Sequence, residues 1–151
     1  MLPDPRLDTS QDEFDELNRF LLGVRDEITS THETVFRIRG LRDRIEVQTS
    51  GEGVSAATRR EGERVARQLM IIEEKLIQFR AKATQDLINY PVRLNDKLST
   101  LFTLVETSDS PPAAQDYELF DDLKARIAAV VTELDDLVEA TDWSGMGMEV
   151  D

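Results

Sequence analysis

The sequence predicts an all-α fold, namely an antiparallel helical bundle of three to four long helices with a kink or break at Pro91. Apolar residues recur with alternating steps of three and four along four long segments, and Gly- and Pro-containing turns separate these segments. No segment shows the apolar–polar alternation of a half-buried strand. A length of 151 residues fits one domain. We expect an extended linker over residues 1–9, a helical bundle domain over 10–141 and a flexible tail over 142–151.

The first helix is predicted from about residue 11 to about Gln48. Thr9 or Ser10 can cap its start, and the acidic pair that follows suits the positive end of a helix dipole. One face carries a coiled-coil-like stripe with a single polar member, Thr31; the stripe consists of Phe14, Leu17, Leu21, Val24, Ile28, Thr31, Val35 and Ile38. This spacing predicts a long amphipathic helix with one core-facing side.

The later helices are predicted from the same spacing. A Gly-rich turn over 49–53 leads to a second helix from about Ser55, and a Ser- and Pro-rich turn over 108–112 precedes a last helix from about Ala113 to Ala140. A proline costs a helix interior about 3 kcal/mol, so Pro91 either kinks one helix or separates two. The stripe of the second helix consists of Val65, Leu69, Ile72, Leu76, Phe79 and Ala83. The segment after Pro91 carries Leu94, Leu98, Leu101 and Val105. The stripe of the last helix consists of Phe120, Leu123, Ile127, Val130, Leu134 and Leu137.

The charge is strongly negative and unevenly distributed. The chain carries 31 acidic and 18 basic residues, net −13, and residues 98–151 hold 13 of the acidic and 2 of the basic ones. A polyanion would be repelled, and no apolar run is long enough for a membrane span, so we expect neither nucleic acid nor membrane insertion. The first helical hairpin is rich in arginine. We expect the acidic last helix to pack against Arg37, Arg39, Arg42 and Arg44.

The residue types limit the chemistry that the chain can perform. It has no cysteine and one histidine, which excludes thiolate sites and multi-histidine metal sites. The adjacent carboxylates Glu73-Glu74, Asp121-Asp122 and Asp135-Asp136 are interpreted as solvated faces, because neighbouring helix residues point in different directions. We expect the chain not to be an enzyme, with no catalytic residue, no metal and no cofactor.

Two features leave alternatives open. His32 lies on the first helix, and a stand-alone signalling bundle of histidine-phosphotransfer type would use it, although Glu33-Thr34-Val35-Phe36 lacks the Lys-Gly pair that follows the phosphoacceptor in such domains. Trp143 lies beyond the last stripe, so it either folds over the bundle end or anchors another surface. The other aromatic residues, Phe36 among them, are interpreted as core filling.

Three stretches of the sequence together resemble a known family. They are Asp4-Pro5-Arg6-Leu7, then Val24 to Ile28 continuing through Phe36-Arg37-Ile38-Arg39 to Arg42, and Leu87-Ile88-Asn89-Tyr90-Pro91-Val92-Arg93-Leu94-Asn95-Asp96-Lys97-Leu98. They resemble the C-terminal helical region of BNR/Asp-box, sortilin-like β-propeller proteins described as glycosyl hydrolases. The structural motif of the resemblance consists of Tyr90, Pro91, Arg93, Asn95 and Asp96.

The resemblance implies a non-catalytic accessory domain. No Asp-box motif occurs in the chain, so any propeller with its groove would lie outside it. The expected partner is the propeller module of a parent chain in cis, or a second copy in a homo-oligomer. A parent of this kind implies an extracytoplasmic location, although the N-terminus has no signal-peptide pattern.

Overall fold

The computed structural model describes residues 10–77, 93–108 and 110–150. Over these residues the chain forms four α-helices and a short 3₁₀ turn, and it contains no strand. The elements are α1 (Gln11–Thr49), α2 (Ala56–Leu76), α3 (Leu94–Glu106), α4 (Ala114–Ala140) and the 3₁₀ turn (Ser144–Met146). The predicted all-α bundle is therefore confirmed. None of these described helices combines the length and the apolar character needed to span a membrane.

Helix α1 begins with a capping box. The Ser10 hydroxyl accepts a hydrogen bond from the Glu13 amide at 3.2 Å, and the Glu13 carboxylate accepts one from the Ser10 amide at 2.9 Å. The two bonds satisfy donors that the first helical turn leaves without partners. Within the helix the buried Thr31 hydroxyl donates to the Glu27 carbonyl at 2.8 Å. Local hydrogen bonding thus lets α1 run for 39 residues, about 58 Å.

Helix α2 runs antiparallel to α1 and covers the C-terminal half of that helix. Near the start of α2, Gly62 lies so close to Thr49 that a Cβ atom in place of its hydrogen would come within 2.6 Å of the threonine methyl. Near its end, Glu73 bonds to Arg39. Helix α2 stops at Leu76 because Ile77 has extended backbone angles, φ −145° and ψ 144°. The predicted continuation of its stripe through Phe79 and Ala83 lies outside the described residues.

Helix α4 runs parallel to α1. At one end the Tyr117 hydroxyl donates to Glu16 at 2.7 Å, and towards the other end Arg37 donates to Asp135 at 2.9 Å. Helix α3 packs against both α1 and α4. Because α2 and α3 contain 21 and 13 residues, together they approach the length of α1. Helix α2 also packs against both α1 and α4 and makes few contacts with α3, so the described helices form three columns, with α2 and α3 sharing one. The predicted kink or break at Pro91 lies outside the described residues.

The core follows the predicted stripes. Their buried members are Leu17, Val24, Val35, Ile38, Val65, Leu69, Ile72, Leu76, Leu98, Leu101, Val105, Phe120, Leu123, Ile127, Val130 and Leu134. Phe20 joins α1 to α4, since its ring makes edge contacts with Tyr117 and Phe120 at centroid distances of 5.0 and 5.5 Å. Such edge contacts add about 0.5–1.5 kcal/mol beyond the area buried. Phe14, predicted in the stripe, is instead 40% exposed in the first turn of α1.

The segment after α4 packs on the bundle, which differs from the flexible tail predicted for 142–151. Trp143, Met146 and Met148 are buried in the core, and the Trp143 indole donates to the Val138 carbonyl at 2.9 Å. Gly147 takes the left-handed conformation, φ +78°, and turns the chain back after the 3₁₀ turn. These apolar side chains cover the core where α1 and α2 meet, so Trp143 folds over the bundle end.

Candidate functional site

The most concentrated charge arrangement is a buried carboxylate between α1 and α2. Glu73 is 0% exposed, and its two oxygens accept from Arg39 Nε at 2.6 Å and Arg42 Nη1 at 3.3 Å. The interpretation of Glu73 as a solvated carboxylate is wrong. Its position is four residues after Leu69 and three before Leu76, so it occupies a core-facing place on the helix. That spacing was the sequence signal for its burial.

The geometry of Glu73 suits a structural role. Both carboxylate oxygens are already engaged by cationic donors, and a buried charge is tolerated when it is paired in this way. The Arg39 and Arg42 side chains remain 41% and 22% exposed, so the positive charges that neutralise the buried carboxylate are still in contact with solvent. The two ion pairs join the turn of α2 that contains Glu73 to the turn of α1 that contains Arg39 and Arg42.

The arginine-rich stretch of α1 distributes its contacts over three elements. Arg37 pairs with Asp135 on α4, as predicted for the acidic last helix. Arg44 instead donates to the backbone carbonyl of Glu149 in the C-terminal segment. Arg39 and Arg42 reach α2 through Glu73, so the expectation that all four arginines face α4 is corrected. The reason is geometric, because successive helix residues point to different sides of α1.

The motif carried by the family resemblance is partly described. Arg93 is the N-cap residue of α3, Asn95 is 9% exposed in its first turn, and Asp96 is exposed where its charge suits the helix dipole. Among the described residues, Asn95 Oδ1 has no hydrogen-bond partner. Tyr90 and Pro91 lie outside the described residues. Arg93, Asn95 and Asp96 therefore share the start of α3.

His32 lies near the middle of α1, next to the buried Thr31, and is itself half-buried. Phosphoryl transfer to this histidine stays a prediction. In the described part of the chain no group of three or more His, Asp or Glu side chains is arranged to hold a metal ion.

Two grooves run along the helix junctions. One, of about 320 Å³, lies between α2 and α4 and is lined by Gln68, Ile71, Ile72, Glu133 and Leu137. An ion pair of 2.7 Å between Lys75 and Glu133 bridges the same two helices. The other, of about 260 Å³, lies between α1 and α2 and is lined mainly by charged residues, including Arg42 and Glu46.

The three most exposed large apolar side chains on α1 share one side of that helix, away from the core. Leu22, Phe36 and Val47 are 54%, 68% and 71% exposed. With 3.6 residues per turn, these positions fall within a sector of about 40° that also contains exposed Thr29 and Gly40. We call this set, Leu22, Thr29, Phe36, Gly40 and Val47, the outer face of α1. The interpretation of Phe36 as core filling is wrong, because Phe36 points away from the buried stripe.

Two local interactions shift pKa values at the bundle surface. Partial burial of the phenol, and then its hydrogen bond to Glu16, raises the pKa of Tyr117 above its ordinary value. Hydrogen bonds from Arg64 lower the pKa of the exposed Glu61 carboxyl. Both shifts arise from packing and pairing between neighbouring side chains.

Comparisons with protein-family models, with curated proteins and with solved structures return no match for this chain.

Proposed function

We propose that this chain is a non-catalytic helical interaction domain, the C-terminal domain of a larger sortilin-like BNR-repeat propeller protein. It works by packing its surface against the propeller module of the parent chain or against a second copy. The β-propeller part of the proposal rests on the sequence resemblance, and the interaction part rests on the outer face of α1.

The outer face is the observation that carries the interaction proposal. Helix α1 buries one apolar stripe against α2, α3 and α4, so its fold does not require apolar residues on the opposite side. A helix in contact with the rest of a domain on one side is normally polar on the other. Phe36 and Val47 are nevertheless the two most exposed large apolar side chains described. Leu22 and Phe36 are two heptads apart on this face, a spacing at which a helix presents side chains to a partner helix.

The described grooves and charge clusters favour interaction over catalysis. The Glu73 carboxylate is fully engaged by Arg39 and Arg42, and the α2–α4 groove is lined by two isoleucines, a leucine and two polar side chains. These arrangements stabilise the bundle and shape its surface. Catalysis would need a nucleophile and a base within hydrogen-bonding distance of each other in a cleft.

The β-propeller part of the proposal is tested by the native mass of the protein. An immunoblot of source cells, with an antibody raised against the bundle, is expected to show a band several times heavier than 17.2 kDa. A band at 17.2 kDa would contradict the proposal of a larger parent protein and would indicate a stand-alone bundle.

The interaction part is tested by photo-crosslinking in the native protein. A photoreactive phenylalanine analogue replaces Phe36, and the control position is Leu104 on α3, which is similarly exposed at 63%. Mass spectrometry of the cross-linked peptides is expected to show propeller peptides or α1 peptides of a second copy joined to position 36. Equal yields at positions 36 and 104 would refute the outer face as an interaction surface.

A further inference from the structure

We propose that the outer face of α1 binds the same face of a second copy of this chain, with the two α1 helices antiparallel and related by a two-fold axis at Thr29. This inference rests on the proposed interaction function and names the partner of that surface. It follows from the spacing of five positions around Thr29.

Two of the three apolar positions of the outer face, Leu22 and Phe36, are symmetric about Thr29. Leu22 lies seven residues before it and Phe36 seven residues after it, each two helical turns or about 10.5 Å away. When two such helices pair antiparallel about Thr29, Leu22 of each copy lies opposite Phe36 of the other. The two-fold axis therefore creates two equivalent apolar contacts from one exposed leucine and one exposed phenylalanine.

One pair of opposite charges that flanks Thr29 is symmetric as well. Arg25 and Glu33 lie four residues before and after Thr29, each about 40° away from it around the helix. Within the described part of the chain neither side chain has an ion-pair partner, so both charges are available. Antiparallel pairing brings Arg25 of each copy to the same height as Glu33 of the other. A parallel pair would oppose like charges instead, so charge complementarity selects the antiparallel arrangement.

The local charge balance permits this approach despite the net charge of −13. Residues 22–40 contain three basic and three acidic side chains, so this stretch is neutral, whereas residues 98–151 carry most of the acidic surplus. Charges more than about 8 Å away are largely screened at physiological ionic strength. Pairing through α1 therefore brings together the neutral part of the surface.

Single-cysteine crosslinking tests the position of the two-fold axis. The chain has no cysteine, so Thr29→Cys carries one thiol on the axis and Gly40→Cys carries one on the same face, eleven residues away. We expect the full chain with Thr29→Cys to form a disulfide-linked dimer under mild oxidation. The Gly40→Cys control is expected to form no disulfide-linked dimer, because its two thiols would be roughly 33 Å apart in the paired helices, beyond disulfide reach. Comparable crosslinking of both variants, or of neither, would overturn the proposal.

A charge exchange tests the arrangement independently. Arg25→Glu and Glu33→Arg are each expected to raise the dimer dissociation constant about tenfold, because each replaces two attractive pairs by two repulsive ones. The double variant R25E/E33R restores both pairs and is expected to dimerise like the unaltered chain. Failure of this rescue would overturn the antiparallel pairing. Propeller peptides crosslinked to position 36, with a monomeric chain, would refute self-pairing while leaving the interaction function standing.

Discussion

Replacing the buried Glu73 separates the role of its charge from the role of its volume. Glu73→Gln keeps the shape but removes the charge that Arg39 and Arg42 bind at 2.6 and 3.3 Å. Hydrogen bonds to charged groups contribute about 1.5–3 kcal/mol each, and the partly exposed arginines recover part of this from water. We expect a loss of about 2 kcal/mol in the free energy of unfolding, a fall in Tm of about 6 °C.

Glu73→Met gives a different expected result. Methionine fills a similar volume without a charge that must be stripped of water, and the Arg39 and Arg42 side chains that it leaves behind are 41% and 22% exposed, so water can solvate their charges. We expect a stability within about 1 kcal/mol of the unaltered chain. Urea unfolding followed by circular dichroism measures both variants, with Glu74→Gln as the control at the neighbouring, less buried carboxylate. If Glu73→Met loses as much stability as Glu73→Gln, the desolvation argument is wrong.

Three further predictions concern packing and titration. Gly62→Ala is expected to destabilise the bundle by about 1–3 kcal/mol in thermal unfolding, because the new methyl group would clash with α1. The control Gly40→Ala is expected to stabilise the bundle by about 0.5–1 kcal/mol, because no atom lies within 4 Å of the new methyl group. Trp143→Ala is expected to cost about 3–5 kcal/mol in urea unfolding, and a change below about 1 kcal/mol would restore the flexible-tail interpretation. The pKa of Tyr117 is raised in the folded state, so the neutral phenol stabilises the fold fully below about pH 10, and this stabilisation is lost as the pH rises through the folded pKa. Tyr117→Phe is expected to abolish that alkaline loss of stability, measured by unfolding curves over a series of pH values.

Much of the fold follows from local patterns in the sequence. The predicted start of α1 matches the structure, with Ser10 as the cap out of the two predicted candidates, Thr9 and Ser10. The starts of α2 and α4 also match, because caps, turns and stripes are encoded by residues close together in the chain. The all-α class follows from the same periodicity.

The parts that sequence reasoning missed depend on tertiary packing. The Glu73 carboxylate can be buried because two arginines on another helix neutralise its charge, and no local sequence pattern predicts that pairing. Trp143 and Met148 pack in a non-helical segment that has no apolar period to detect. Phe36 lies only one residue from the buried Val35, so its exposure depends on the helical phase rather than on its residue type.

Sedimentation equilibrium of the full chain tests the central claim most directly, namely that α1 carries a core on one side and a self-binding surface on the other. The account predicts a mass that rises with concentration from 17.2 kDa towards twice that value, and a Phe36→Gln variant that keeps the melting temperature of the unaltered chain but stays at 17.2 kDa. An unaltered chain that stays at 17.2 kDa across the concentration range, or a Phe36→Gln variant that still dimerises, would contradict the claim.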